Sequence, residues 1–171
     1  MKKFSIRQLH EHDWRELSEV RLKALRSDPH VFGSNYAAES QLSEEEWRNK
    51  LRSDDSAIFC VFAGETPIGM TGISVLREDE TKRTALLWGS WLEPEFRGKG
   101  LSELMYKARI DWAKAHPTIE RIIVSHRASN VASKHANQKH EFVFTGTHEK
   151  IWSDGKTEDD VCYELFIESK S

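Results

Sequence analysis

Apolar and polar residues alternate from Phe4 through Ile6 to Leu9, slightly out of step at the end, and this predicts a short strand. From His12 the period lengthens. Trp14, Leu17, Val20, Leu22 and Leu25 recur at three- and four-residue steps, the spacing of an amphipathic helix. Asp13 stands where a cap would, with Glu16 completing a capping box. Asp28-Pro29 ends the helix, because the ring and the residue before it resist further helix. A polar stretch, Gly33-Ser-Asn-Tyr-Ala-Ala-Glu39, follows. Ser43-Glu-Glu-Glu46 then opens a second helix, with a hydroxyl cap and acids at the positive end of the helix dipole.

The next block reads as strands. Ile58-Phe-Cys-Val-Phe62 is strongly apolar, Gly64-Glu-Thr-Pro67 is a turn, and Ile68 to Leu76 resumes as the second arm of a hairpin. After a charged turn, Arg77 to Arg83, the run Thr84–Leu92 is apolar on both faces and belongs at the centre of a sheet. Leu101, Leu104, Met105, Ala108, Ile110, Trp112 and Ala113 return to helical order, which His116-Pro117 stops. Arg121 to Val124, extended as far as His126, is another buried-type strand, and Asn130 to Lys139 is helical. Phe142–Trp152 and Asp160–Ile167 are two strands with the hairpin signal Asp154-Gly155 between them. The order predicts an α/β fold on a mixed sheet. With neither a repeat nor a long linker, one domain over residues 1–171 is expected.

Composition narrows the class. Apolar residues make up 38%, charged residues 31% and aromatics 10%, the profile of a folded globular chain rather than a disordered one. A net charge of -3 and a pI near 6.2 supply no global basic field for nucleic acid or an anionic membrane. No apolar run approaches the roughly 20 residues of a spanning helix, and no signal-peptide core follows the basic start. Cys60 and Cys162 are expected as buried free thiols of a reducing cytoplasm, a disulfide or redox pair being the alternative. His10-Glu11-His12 has no plausible third ligand, and no metal is expected.

Chemistry concentrates in Trp91-Leu-Glu-Pro-Glu-Phe-Arg97-Gly98-Lys99-Gly100-Leu101-Ser102. A buried strand ends, a glycine-rich turn follows and a helix starts at once, which aims unpaired backbone amides at one point. Gly98 and Gly100 let backbone approach a ligand, and Arg97 and Lys99 add positive charge. These features suit a pyrophosphate; a plain glycine turn that starts a helix is the alternative. The triphosphate and dinucleotide fingerprints GxxxxGK[ST] and GxGxxG are both absent.

Arg97-x-x-Gly100-x-Ser102 resembles the acetyl-CoA signature of the GNAT superfamily of N-acetyltransferases, Arg/Gln-x-x-Gly-x-Gly/Ala, with serine at the last position. Asn130-Val-Ala-Ser133 followed by Lys139-His-Glu-Phe142 resembles that family's Asn-x-x-Ala and Lys-x-Gly-Phe segment, with Ser133 for alanine and Glu141 for glycine. The order of elements agrees as well. The resemblance implies a mixed, mostly antiparallel sheet flanked by helices, in which two central parallel strands, Thr84–Leu92 and Arg121–His126, splay apart. It further implies acetyl-CoA as co-substrate. Its pantetheine arm would pair near Trp91 and Leu92, its pyrophosphate would rest on the amides of Arg97, Gly98, Lys99, Gly100, Leu101 and Ser102, and Asn130 would complete the set.

Direct transfer to an amine needs a base, donors for an oxyanion, such as a backbone amide near Leu92, and an acid for the departing thiolate. The family's usual acid is a tyrosine seven residues after the asparagine. That position is Asn137 here, and an amide gives up no proton. Ser133, His135 or solvent are the substitutes. His126 is the leading base, on one strand face with Ile122 and Val124 and with a pKa range suited to proton relay; a structural histidine is the alternative. Glu93, acting through water, is the second candidate. For the acceptor pocket the candidates are Tyr36, Glu39, Trp88 and Trp152: a carboxylate to attract an ammonium group, and aromatic walls to contact it by cation–π attraction. The expected function is acetyl transfer to a primary amine of a small molecule or peptide, in the cytoplasm, without nucleic-acid or membrane partners and compatible with a homodimer. A non-catalytic acyl-CoA sensor is the rival.

Overall fold

Strand β1 (Phe4–Leu9) lies antiparallel to β2 (Ser56–Ala63), Phe4 opposite Ala63 and Leu9 opposite Ile58, in a computed structural model that describes residues 3–29 and 35–167. The start of the polar stretch, Gly33 and Ser34, lies outside the described residues. One seven-stranded sheet runs in the order β1-β2-β3-β4-β5-β7-β6, with β3 at Thr66–Val75, β4 at Thr84–Leu92, β5 at Arg121–Arg127, β6 at Val143–Ile151 and β7 at Thr157–Phe166. The pair β4–β5 is parallel, whereas β5–β7 and β6–β7 are antiparallel. The predicted mixed α/β sheet, with Thr84–Leu92 at its centre, is the one observed.

The chain resolves into two compact units. The first comprises Met1–Ile73 and Trp88–Arg109. Here α1 (Trp14–Ser27), α2 (Tyr36–Glu39) and α3 (Glu44–Asn49) accompany β1–β3, and α4 (Leu101–Ala115) begins. Both faces of β2 are covered, which explains its unbroken apolar run. Ile58, Cys60 and Phe62 join Leu17, Val20, Ala24 and Trp47 in one cluster, while Val61 and Ala63 join Ile68, Leu101 and Met105 in another. The second unit comprises Ser74–Leu87 and Ile110–Ser171 and includes β5, α5 (Val131–Lys139), β6 and β7. Ala85, Ile119, Ile122, Phe142 and Tyr163 are among its buried residues.

Several local expectations need correction. Asp13 does not cap α1 with its side chain; its Oδ2 accepts from the His10 amide at 2.9 Å, closing the 3-10 turn that precedes the helix. The end of the polar stretch is helical, because Asn35 Oδ1 accepts from the Ala38 amide at 2.8 Å and nucleates α2. Strand β7 starts at Thr157, three residues before the apolar pattern does, since the turn at Gly155 (φ 82°) returns the chain at once to pair Thr157 with Ile151. Cys60 is buried and Cys162 only partly so; both thiols are free. Among the described residues no helix is long and apolar enough to cross a membrane.

Candidate active site

The turn between β4 and α4 is built from its flanks inward. Trp91 is buried, and its indole Nε1 donates to Asp28 Oδ2 at 2.7 Å. Arg97 Nη2 donates to the same oxygen at 3.1 Å, and Arg97 Nε donates to the Leu92 carbonyl at 2.8 Å. Burial works to raise the Asp28 pKa, but hydrogen bonds from Trp91 and Ser27 and the charge of Arg97 outweigh it and hold the carboxyl below its ordinary value. Pro94–Phe96 forms a 3-10 turn whose Phe96 ring meets Phe4 edge-on at 5.8 Å. Leu101 and Met105 then seat α4 against Val61, Ala63 and Ile68.

Between these anchors the backbone is left for something else. Gly98 and Gly100 have φ of 75° and 79°, the left-handed region, and are exposed. Among the described residues, the amides of Gly98, Lys99, Gly100, Leu101 and Ser102 find no acceptor. Leu101 and Ser102 open α4, where amides lack helical partners by construction. A run of unsatisfied donors at the positive end of a helix has the chemistry that suits an anion cradle. Arg97 is tied to Asp28 and Leu92, so its guanidinium shapes the turn, while Lys99 remains exposed.

Strand β4 changes character just before this turn. Its parallel ladder with β5 covers Thr84–Arg121, Ala85–Ile122 and Leu86–Ile123, although β4 runs on to Leu92. Gly89 within the remainder has φ 67°, which bends the strand locally. Trp88 lies against Gly72, and Thr71 and Ser90 share a hydroxyl hydrogen bond of 2.6 Å.

A cavity of about 200 Å³ in the first unit is lined by Leu17, Arg21, Glu39, Trp47, Lys50, Ile58, Met70 and Trp88. It brings Glu39 and Trp88 together. Arg21 grips Glu39 with a two-pronged pair, Nε to Oε1 at 3.0 Å and Nη2 to Oε2 at 3.1 Å. The wall is therefore a matched ion pair beside indole rings, not a bare carboxylate. Arg21 falls on the core-facing stripe of α1, four residues after Leu17, and a cation there is the signal that sequence reading passed over. Tyr36 lies outside the lining; its ring stacks under Arg26, whose Nη2 donates to the phenol oxygen at 2.6 Å. Trp152, in the second unit, donates from its indole to the Glu158 carbonyl and is flanked by Arg127 and Lys150.

The proton-handling candidates divide the same way. Glu93 is partly buried, with Oε2 3.5 Å from Lys23 Nζ. His126 is buried. Its Nδ1 is 2.7 Å from the Arg127 carbonyl, which can only accept, so Nδ1 carries the proton. In the neutral ring Nε2 then accepts from the Tyr163 hydroxyl at 3.0 Å. Tyr163 went unnoticed in the sequence, because nothing local marks a tyrosine 37 residues away as the partner of His126. Asn130 caps α5, its Oδ1 accepting from the Ser133 amide at 3.1 Å. Asn137 is buried on the same helix, and His135 is exposed.

A family model described as the acetyltransferase (GNAT) family matches residues 7–142. No curated protein matches the chain in sequence. Among solved structures, the chain is similar to an acetyltransferase of the GNAT family from Streptococcus pneumoniae, with a TM-score of 0.81 at 23% identity over 96% of this chain and 100% of that one. It is similar to the ribosomal-protein-S5-alanine acetyltransferase from Vibrio fischeri, with a TM-score of 0.81 at 18% identity over 100% and 97% of the two chains. It is also similar to yncA, a putative acetyltransferase from Salmonella typhimurium solved with its cofactor acetyl-CoA, with a TM-score of 0.78 at 14% identity over 98% of each.

Proposed function

Because the chain belongs to the acetyltransferase (GNAT) family, we propose that it transfers an acetyl group from acetyl-CoA directly to a primary amine on a small molecule or peptide, in the cytoplasm. The observation that carries this reading is the run of acceptor-free amides from Gly98 to Ser102, held open by two left-handed glycines. Three features of that turn suit a diphosphate: several successive donors lack an acceptor, the helix dipole adds to them, and space is open where a side chain would begin at Gly98 and Gly100. The similar yncA structure with acetyl-CoA supports the choice of donor, and the S5-alanine acetyltransferase supports a peptide-type acceptor.

Acetyl-CoA supplies the activated acyl carbonyl when bound. The chain's own residues do the rest. Gly98 to Ser102 hold the anionic end, with Lys99 adding charge and Asp28 fixing the turn through Trp91 and Arg97. The backbone of Trp91 and Leu92 lines the approach to the acyl group. Trp88 and the Arg21–Glu39 pair form the wall that receives the acceptor. An acceptor ammonium must lose a proton before it attacks. His126 and Tyr163 form a two-membered relay in which the Tyr163 oxygen receives a proton as its own hydroxyl proton passes to His126 Nε2. Glu93 offers a second outlet through water. The thiolate is protonated by solvent, with Ser133 as the hydroxyl on α5 nearest in role, since Asn137 cannot serve.

The test is thiol release from acetyl-CoA across a panel of chemically varied amines and peptide N-termini, run beside direct binding of acetyl-CoA. Release above background with at least one amine supports transfer. Tight binding with no release on any acceptor moves the chain to an acyl-CoA sensor, and absence of binding overturns the reading.

A further inference from the structure

Strands β6 and β7 pair as an antiparallel ribbon with one irregularity. Val143 and Phe144 stand opposite Glu164 and Tyr163, but Gly146, not Thr145, stands opposite Cys162. The extra residue is a bulge, and it changes which β6 side chains share a face with β7. In an uninterrupted register Thr147 would oppose Asp160, and His148 would turn to the other face. With the bulge, His148 lies opposite Asp160, on the face that also carries Cys162 two residues along β7. His148 Nε2 is 3.3 Å from Asp160 Oδ2, and His148 Nδ1 is 3.8 Å from Cys162 Sγ. One ligand atom from each of the three residues lies within 4.8 Å of the others.

Asp160 supplies an independent observation. It is 6% exposed, and its Oδ1 is buried without a hydrogen-bond partner. A buried carboxylate oxygen that meets no donor is costly unless a cation satisfies it. Arg127 is its register neighbour on β5, but that guanidinium is turned to Asp154 and Glu158.

We propose that His148, Asp160 and Cys162 form a binding site for a borderline divalent transition metal, Zn²⁺ foremost. Imidazole, thiolate and carboxylate are the ligand types this ion takes, at about 2.0–2.3 Å each, so ligand atoms around a tetrahedral centre stand about 3.3–3.8 Å apart. With one ligand atom from each residue the three lie within 4.8 Å of one another; the shorter approaches use different nitrogens of His148, Nε2 toward Asp160 and Nδ1 toward Cys162, and the ion takes one of the two. Hard cations such as Mg²⁺ and Ca²⁺ are disfavoured, because two of the three ligands are nitrogen and sulfur. The His148 side chain is 62% exposed, which gives the ion an entry from solvent and leaves a fourth position for water. On binding, the Cys162 thiol releases its proton to solvent, the sulfur keeps the electron pair, and no oxidation state changes. The site does not depend on the acetyl-transfer reading.

Co²⁺ is the spectroscopic stand-in for Zn²⁺. Titrated into the reduced full chain, one equivalent should produce near-ultraviolet sulfur-to-cobalt absorption that Zn²⁺ displaces. Cys162→Ser should abolish that band, and His148→Ala should weaken Zn²⁺ binding by at least about tenfold. Cys60→Ser, at the buried thiol, should change neither. Urea midpoints of the metal-free variants, matching the metal-free parent, separate loss of ligand from loss of fold. A missing thiolate band at stoichiometric Co²⁺, or an affinity that survives His148→Ala, overturns the site.

Discussion

Replacing Gly100 with glutamate tests the cradle most directly, and Gly64→Glu is its matched control. Both glycines adopt left-handed φ, 79° and 64°, and a Cβ at either meets no atom within 4 Å. Neither substitution therefore clashes, and both carry the same conformational penalty, about 1–2 kcal/mol for an L residue in that region. The variants differ only in where the new carboxylate stands. At Gly64 it sits in the β2–β3 turn; at Gly100 it sits beside the acceptor-free amides. With an effective permittivity near 20 and a separation of about 5 Å, one unit charge repels another by about 3 kcal/mol. That corresponds to roughly a 100- to 200-fold loss of affinity for a diphosphate. Urea unfolding should place both variants at similar stability, and calorimetric titration with acetyl-CoA should separate them by at least about 100-fold. Equal affinities at equal stability would show that the anion rests elsewhere, and the cradle would lose its role.

Two further outcomes concern Gly72 and Asp79. A Cβ on Gly72 would stand 2.6 Å from Cε2 and Cζ2 of Trp88, so Gly72→Ala should lower stability by about 1–3 kcal/mol. In a Trp88→Ala background the same change should be neutral or slightly stabilising, because alanine narrows the unfolded ensemble; an equal loss in both backgrounds would refute the contact. Asp79 accepts from the hydroxyl of Thr81 and from the amides of Thr81, Arg83 and Thr84, and the Thr81 hydroxyl leads in lowering its pKa to about 2. Its folded value lies below the ordinary one, so its support for the β3–β4 loop is complete above the ordinary value. That support declines as pH falls and is gone below about 2. A carboxyl NMR titration of Asp79 should have its midpoint near 2; an ordinary aspartate midpoint would show that this hydrogen-bond set is not formed.

Local patterns carried much of the molecule. The bounds of β4 follow from its two-sided apolar run, and α4 from helical spacing ended by His116-Pro117. The Ser43 cap behaves as its hydroxyl suggests, accepting from the Glu46 amide. The glycine turn between β4 and α4 was also visible, because two glycines between a buried strand and a helix leave few alternatives for the backbone. Where reading failed, a side chain had chosen a distant or unexpected partner. Asp13 bonds back to His10, and Asp28, seen only as a helix stop, turns out to hold Trp91 and Arg97.

The linear order of residues dictates the elements, their sequence along the sheet-forming chain and the donor-rich turn, because each of these depends on neighbours a few positions apart. Folding in three dimensions settled the pairings that give those elements their chemistry. Glu39 is neutralised by Arg21, His126 is committed to Tyr163, and His148 meets Asp160 and Cys162 because one extra residue in β6 turns its side chains by a face. Such pairings depend on strand register and helix placement. A single-residue shift reverses them while leaving the hydrophobic pattern of the sequence unchanged.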